Sequence, residues 1–268
     1  MELRGKTVVV TGASQGIGAA LARAFAAAGS TVVLAARSVD KLEALAAETG
    51  GLAHPVDLLD PEQTDRFIAD VEAAHGPIDV LVNNAGLDSS RPAAAIEIQT
   101  IRRVTRLNVE APMVLTRQVL PGMLERRSGH LVYLSSLAGT ASFPTMSHYA
   151  ATKAGIMNFA GSVRWEVRKH GVGVTIVAPG PVDTEMWDRY EDMTGTPGNV
   201  RRRFERLQLL PKLAPDVLAD RTVAAVRDGK RHVRHPRRLS TNFWLNEAPR
   251  RIVEAALTGV RFDPTGRE

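Results

Sequence analysis

Short apolar runs rich in β-branched residues punctuate the first two-thirds of the chain: TVVV (7–10), TVVLAA (31–36), GLAHPV (51–56), IDVLVN (78–83), HLVYLS (130–135) and VGVTIVA (172–178). They lack the polar alternation of a half-exposed strand, so they predict strands buried on both faces of a parallel sheet. Helical stretches separate them. Residues 16–28 are Ala-rich and stop at Gly29, and residues 38–48 start at Ser38, a candidate N-cap, and stop at Gly50–Gly51. Residues 61–75 follow Asp60, place Pro61 at the first helical position and stop before Gly76–Pro77. Repeated β-α-β units predict an α/β fold with a single doubly wound parallel sheet. After Ala178 the pattern breaks. Residues 179–213 mix Pro, Gly and charge with scattered large apolar side chains, and a helix from Pro215 to Arg227, a short strand around Lys230–His235 and an amphipathic helix around Thr241–Leu257 follow.

Composition changes this picture little. The 268 residues are 44% hydrophobic and 24% charged, which suits one globular domain spanning residues 1–268. There is no cysteine, so disulfides and thiolate chemistry are excluded. No His/Asp/Glu cluster argues for a metal. An apolar run begins within a few residues of Met1, and no stretch is long enough to span a bilayer, so the expectation is a soluble cytoplasmic protein. The net charge of +5 is concentrated late, with twelve Lys/Arg against four Asp/Glu between Arg201 and Ser240.

The first candidate chemistry lies where the first strand ends, at T-G-A-S-Q-G-I-G (11–18). Gly12, Gly16 and Gly18 follow a strand and open a helix, so backbone N–H groups and the positive helix end are free to face a pyrophosphate. No Lys-Ser/Thr pair follows, which excludes a P-loop. The second strand ends with Ala36, Arg37 and Ser38, without the acidic side chain that takes the ribose 2′-hydroxyl of NAD. Arg37 offers a planar donor fork suited to a 2′-phosphate, so the expected cofactor is NADP rather than NAD.

The second candidate is Y-A-A-T-K at 149–153, whose Tyr149 and Lys153 share a helix face. A free phenol titrates near 10, and a neighbouring ammonium stabilises its ionised form. Ser136 ends a strand thirteen positions earlier. Together with Asp57, N-N-A-G at 83–86, Asn108 in R-L-N-V and P-G-P-V-D-T at 179–184, these motifs make the chain resemble the short-chain dehydrogenase/reductase family in its single-domain form, over roughly residues 3–185. The resemblance implies a Rossmann-type NAD(P)-dependent oxidoreductase acting on CH–OH groups. It assigns proton transfer to Tyr149, support of that tyrosine and of the nicotinamide ribose to Lys153, polarisation of the substrate oxygen to Ser136, and a water-mediated proton return to Asn108. It places the cofactor against Gly12, Ser14, Gln15, Gly16, Ile17, Gly18, Arg37, Ser38, Asp57, Leu58, Asn84, Ala85, Gly86, Tyr149, Lys153, Pro179, Gly180, Val182 and Thr184. Spacing favours Ser136 over its neighbour Ser135, and His148 is left without a catalytic role.

The same resemblance makes residues 185–213 a substrate lid and 214–268 a C-terminal extension. Met186, Trp187, Tyr190, Met193, Phe204 and Leu207 give that lid an apolar character, and Leu87, Leu137 and Phe143 stand near the expected pocket. A lipophilic ketone, aldehyde or secondary alcohol is the expected small-molecule partner. The basic 201–240 segment is read as solvated surface rather than a nucleic-acid or membrane face, although Phe243, Trp244, Arg250 and Arg251 leave contact with an anionic membrane as the second reading. The rival function is a cofactor-binding regulatory or membrane-surface protein on the same fold. The family also implies a homodimer or homotetramer built through helices near 97–126 and 148–170.

Overall fold

The computed structural model describes residues 1–186, 206 and 211–236. Six strands form where the apolar runs stand: β1 Thr7–Thr11, β2 Thr31–Ala36, β3 Leu52–Pro55, β4 Val80–Asn83, β5 Gly129–Leu134 and β6 Val172–Ala178. A seventh, β7 His232–Arg234, completes a parallel sheet in the order β3-β2-β1-β4-β5-β6-β7. The helices are α1 Gly16–Ala27, α2 Val39–Thr49, α3 Pro61–His75, α4 Ile98–Thr105, α5 Ala111–Glu125, α6 Ser147–Val167 and α7 Pro215–Arg227. The Asp60 carboxylate caps α3 by accepting from the N–H groups of Glu62 (2.9 Å) and Gln63 (3.4 Å), with Pro61 at the first position. Ser38 occupies the N-cap position of α2 but its side chain makes no capping hydrogen bond.

The strands bury both faces, as their uninterrupted valines require. On one face Val9, Leu81, Leu131, Tyr133 and Ile176 pack with Phe67 of α3, Leu115 of α5 and Met157 of α6. On the other, Val8, Val10, Val32 and Val132 meet Leu21 and Phe25 of α1, Leu42 of α2 and Leu218 of α7. Each such large side chain, taken fully from water, contributes about 1.5–3 kcal/mol. Among the described residues no helix is long and apolar enough to cross a membrane, and no group of three or more His, Cys, Asp or Glu is arranged to hold a metal.

Strand order reverses between β1 and β4, and a crevice opens there beyond the carboxyl ends of the strands. The stretch after β6 forms one wall. It is held by a bridge between Val182 and Leu213, by the N–H of Asp183 donating to Leu213 O (3.0 Å), and by the N–H of Gly180 donating to His235 O (2.8 Å). Of the expected lid, Glu185, Met186, Arg206 and residues 211–213 are described; Trp187, Tyr190, Met193, Phe204 and Leu207 lie outside the described residues. So does the helix expected around Thr241–Leu257.

Candidate active site

A cavity of about 690 Å³ fills the crevice. Its lining gathers every expected cofactor contact, from Gly12, Ser14, Gln15, Gly16, Ile17 and Gly18 through Arg37, Ser38, Asp57 and Leu58 to Asn84, Ala85 and Gly86 and on to Pro179, Gly180, Val182 and Thr184. Ser136, Tyr149 and Lys153 line the same space. The glycine turn is built for close approach. A Cβ on Gly18 would stand 2.1 Å from the Gly12 carbonyl oxygen, and Gly12 itself has φ +66° against the backbone of Ala85. Asn84 braces the turn by donating from Nδ2 to Thr11 O (2.8 Å) and Gly12 O (3.2 Å). Thr11 Oγ1 accepts from the N–H groups of Asn84 and Ala85 (3.0 and 3.1 Å).

Among the described residues no side chain caps the start of α1, where Gln15 is the N-cap. Its first-turn N–H groups therefore face the cavity without a side-chain acceptor, which fits the phosphates of a dinucleotide. Arg37 is exposed at the cavity edge and makes no hydrogen bond or ion pair among the described residues. Sequence reasoning overlooked Lys41 close by, whose Nζ donates to Gln15 Oε1 (3.0 Å), while Gln15 Nε2 donates to Glu185 Oε2 (3.1 Å). Its signal was available: Lys41 lies on the first turn of α2, four residues after Arg37.

Ser136, Tyr149 and Lys153 gather in another part of the same cavity. Ser135 and Ser136 diverge although they are adjacent. Ser135, 4% exposed, donates its hydroxyl to Lys153 O (2.8 Å) inside the fold. Ser136 caps a short 3-10 turn at Leu137–Gly139, accepting from the Ala138 N–H (3.1 Å), and its side chain is hydrogen-bonded to Tyr149. Burial pushes the Tyr149 phenol above its ordinary value, the charge of Asp88 pushes the same way, and the bond with Ser136 opposes both. Burial pulls the Lys153 ammonium down to about 8, against an upward pull from Asp88. Lys153 Nζ donates to Leu134 O (2.8 Å) and stands 5.7 Å from the centre of the Tyr149 ring. The helix spacing of these two residues implied a lowered phenol. In the polypeptide by itself, burial sets the opposite direction for the phenol.

Asn108 lies behind the cavity wall, 2% exposed, on a π-helical turn (Arg106–Glu110) between α4 and α5. It clamps Leu87 from both sides, accepting from its N–H (2.8 Å) and donating to its carbonyl (2.9 Å), and donates to Thr152 Oγ1 (3.1 Å). A Cβ on Gly86 would stand 3.2 Å from Asn108 Oδ1 and 3.5 Å from Lys153 Nζ, so both groups flank that glycine. His148 does not line the cavity. Its ring nitrogens lie 3.2 Å from Ser89 Oγ and 3.1 Å from Thr105 Oγ1. Asp88, which no sequence motif singled out, lines the cavity beside Tyr149 and Lys153.

Known proteins similar to the chain point to one family. The profile of the short chain dehydrogenase family matches residues 6–195. A short chain dehydrogenase of Pseudocercospora fijiensis is 39% identical over 192 residues, an alignment that covers 69% of this chain and 62% of that protein. The ketoacyl reductase HetN of Nostoc sp. is 35% identical over 231 residues, with 84% of this chain and 77% of that protein covered. The solved structure of a short-chain dehydrogenase from Sphingobium yanoikuyae in complex with NADPH matches with a TM-score of 0.80 at 26% identity, covering 96% of this chain and 98% of that one. The chain belongs to the short-chain dehydrogenase/reductase family.

Proposed function

We propose that the protein is an NADP(H)-dependent oxidoreductase acting on a lipophilic carbonyl and the corresponding alcohol. The single observation that carries this reading is the convergence of Ser136, Tyr149 and Lys153 with the uncapped start of α1 in one cavity. The nicotinamide cofactor would supply or accept the hydride. Gly12, Gly16 and Gly18 would hold its pyrophosphate, and Arg37 with Ser38 would receive a 2′-phosphate where no acidic side chain stands. The NADPH complex of the Sphingobium relative supports that choice.

Ser136 Oγ and Tyr149 Oη would both bond the substrate oxygen, with Tyr149 passing its proton as the oxygen gains charge. A phenol held above its ordinary value is protonated at neutral pH, the form needed to donate. Lys153 would take up the ribose hydroxyls, and the Asn108–Gly86–Lys153 neighbourhood gives proton return a place to run. Leu87, Leu137, Phe143, Met146 and Met186 supply an apolar wall for the rest of the substrate.

The test is NADPH oxidation by the purified protein against a panel of ketones and aldehydes. Tyr149→Phe should lower kcat by about 100-fold or more. Arg37→Ala should raise KM for NADPH at least about tenfold more than KM for NADH, since it removes a charge-assisted contact made by one cofactor alone. Undiminished turnover by Tyr149→Phe would refute the chemistry, and equal KM changes would refute the NADP assignment.

A further inference from the structure

His148 stands where α4, α6 and the loop that leaves β4 meet, and its ring bonds to all three neighbourhoods. It is the second residue of α6, directly before Tyr149. Nε2 lies 3.1 Å from Oγ1 of Thr105, the last residue of α4, and Nδ1 lies 3.2 Å from Oγ of Ser89 on the loop. The ring is also hydrogen-bonded to the backbone of Ile101, whose own N–H donates to Glu97 O, so a ring N–H donates to the Ile101 carbonyl. Ile101 and Thr105 are four apart on one face of α4, which places that proton on Nε2. Nδ1 of the neutral ring then accepts, and the Ser89 hydroxyl donates to it. Burial lowers the His148 pKa, against an upward pull from the Ile101 bond, and so favours the neutral ring that this arrangement needs.

The bond to Ser89 matters because of what the loop carries. Ser89 and Ser90 are each 6% exposed. Ser90 donates to both carboxylate oxygens of Asp88 (3.0 and 3.3 Å), which ties residues 88–90 into one unit. Leu87 and Asp88 line the cavity together with Ser136 and Tyr149. Asn108 on the π-helical turn holds the backbone of Leu87, and His148 on α6 holds Ser89. The second anchor ties this wall to the helix that carries Tyr149, through a side chain that does not itself line the cavity.

We propose that His148 is a positioning residue for the substrate: its bond to Ser89 fixes the cavity wall at Leu87 and Asp88 at the distance from Tyr149 that a bound carbonyl compound requires. The proposal rests on the reading of Tyr149 as proton donor to the substrate oxygen. A wall that touches the body of a substrate contributes equally to the ground state and the transition state, so displacing it raises KM and leaves kcat little changed. A bond that served stability alone would weaken the fold without producing that split.

The experiment measures kcat and KM for 2-octanone and for acetophenone at saturating NADPH. The proteins are wild type, Ser89→Ala, His148→Ala, His148→Asn, His148→Gln and the double variant Ser89→Ala/His148→Ala. Asparagine offers an oxygen near the place of Nδ1, whereas glutamine reaches toward the place of Nε2. Ser89→Ala, His148→Ala and His148→Gln should each raise KM for the ketones about fivefold or more. Their kcat should stay within about threefold of wild type, and NADPH affinity in fluorescence titration should be unchanged. His148→Asn should hold KM within about twofold of wild type. The double variant should be no worse than the poorer single one, because both substitutions remove the same bond. Ser89→Ala is the smaller change and carries the test if the His148 variants do not fold. An unaltered KM in Ser89→Ala overturns the proposal. So do additive effects in the double variant, a His148→Asn enzyme as poor as His148→Ala, or a loss confined to kcat, which would mark His148 as acting on proton transfer through Tyr149. A wild type that reduces neither ketone overturns it together with the lipophilic-carbonyl reading on which it stands.

Discussion

The two adjacent serines at the end of β5 give the sharpest test of the proposed chemistry, because they differ in what their hydroxyls touch rather than in chemical type. Ser135→Ala removes a buried bond of 2.8 Å to Lys153 O. That costs about 1 kcal/mol of stability, or somewhat more if the carbonyl is left short of a donor. Ser136→Ala removes the cap on the Ala138 N–H (3.1 Å) and the bond to Tyr149, also for about 1 kcal/mol. Urea midpoints of the two variants should therefore be similar. Activity should separate them. In the proposed chemistry Ser136 donates to the substrate oxygen where charge develops, and losing such a donor lowers kcat by about 100- to 1000-fold. Ser135→Ala leaves the hydroxyls of Ser136 and Tyr149 in place and should stay within about threefold of wild type. The assay is kcat and KM for an accepted ketone at saturating NADPH, alongside urea unfolding of the same preparations. Equal activity losses, or a Ser136→Ala enzyme retaining more than a tenth of wild-type kcat, would refute the assignment of substrate polarisation to Ser136.

Two further perturbations probe the frame that holds the site. Gly18→Ala should abolish detectable NADPH binding in fluorescence titration, because its Cβ would meet the Gly12 carbonyl at 2.1 Å and backbone cannot step aside. Gly155→Ala is the control: among the described residues nothing lies within 4 Å of its Cβ, and a helix-interior glycine replaced by alanine should raise stability by about 0.5–1 kcal/mol. Acid should weaken the fold through His130, which is 3% exposed and bonded to Thr175 Oγ1 at 2.8 Å. Burial lowers its pKa from 6.5 to about 4, so the folded state favours the neutral ring. That stabilisation is complete above 6.5 and is lost as pH falls through about 4, amounting to about 2 kcal/mol lost by pH 5. Urea unfolding at pH 8 and pH 5 should show a smaller acid loss in His130→Asn than in wild type, and an identical loss in both would count against the assignment.

The sheet was legible because its strands are written twice over, as β-branched runs and as gaps closed by turn residues. Asp60 with Pro61, and Gly50 at φ +67°, mark the start of α3 and the end of α2 by local chemistry that needs no tertiary partner. Ser38 shows the limit of such reasoning. It stands at the N-cap position of α2, yet its side chain caps nothing and lines the cavity instead. The position was local information; the choice of partner was not.

Tyr149 and Asp88 show why the electrostatics of the site could not be read in the same way. The four-residue spacing of Tyr149 and Lys153 says that an ammonium stands near a phenol, and it does, at 5.7 Å from the ring centre. Spacing carries no information on desolvation, however, and burial sets the direction for both groups, raising the phenol and lowering the ammonium. Asp88 is further from the reach of pattern. It belongs to no motif, and its place depends on Asn108, twenty-one positions away from Leu87, and on His148, fifty-nine positions away from Ser89. Those two long-range clamps hold the loop that carries Asp88 at the cavity wall. The motifs thus account for the glycine turn and for the place of Tyr149 in the cavity. The surroundings of Asp88 are made by side chains that meet only once β4, the π-helical turn and the start of α6 have come together.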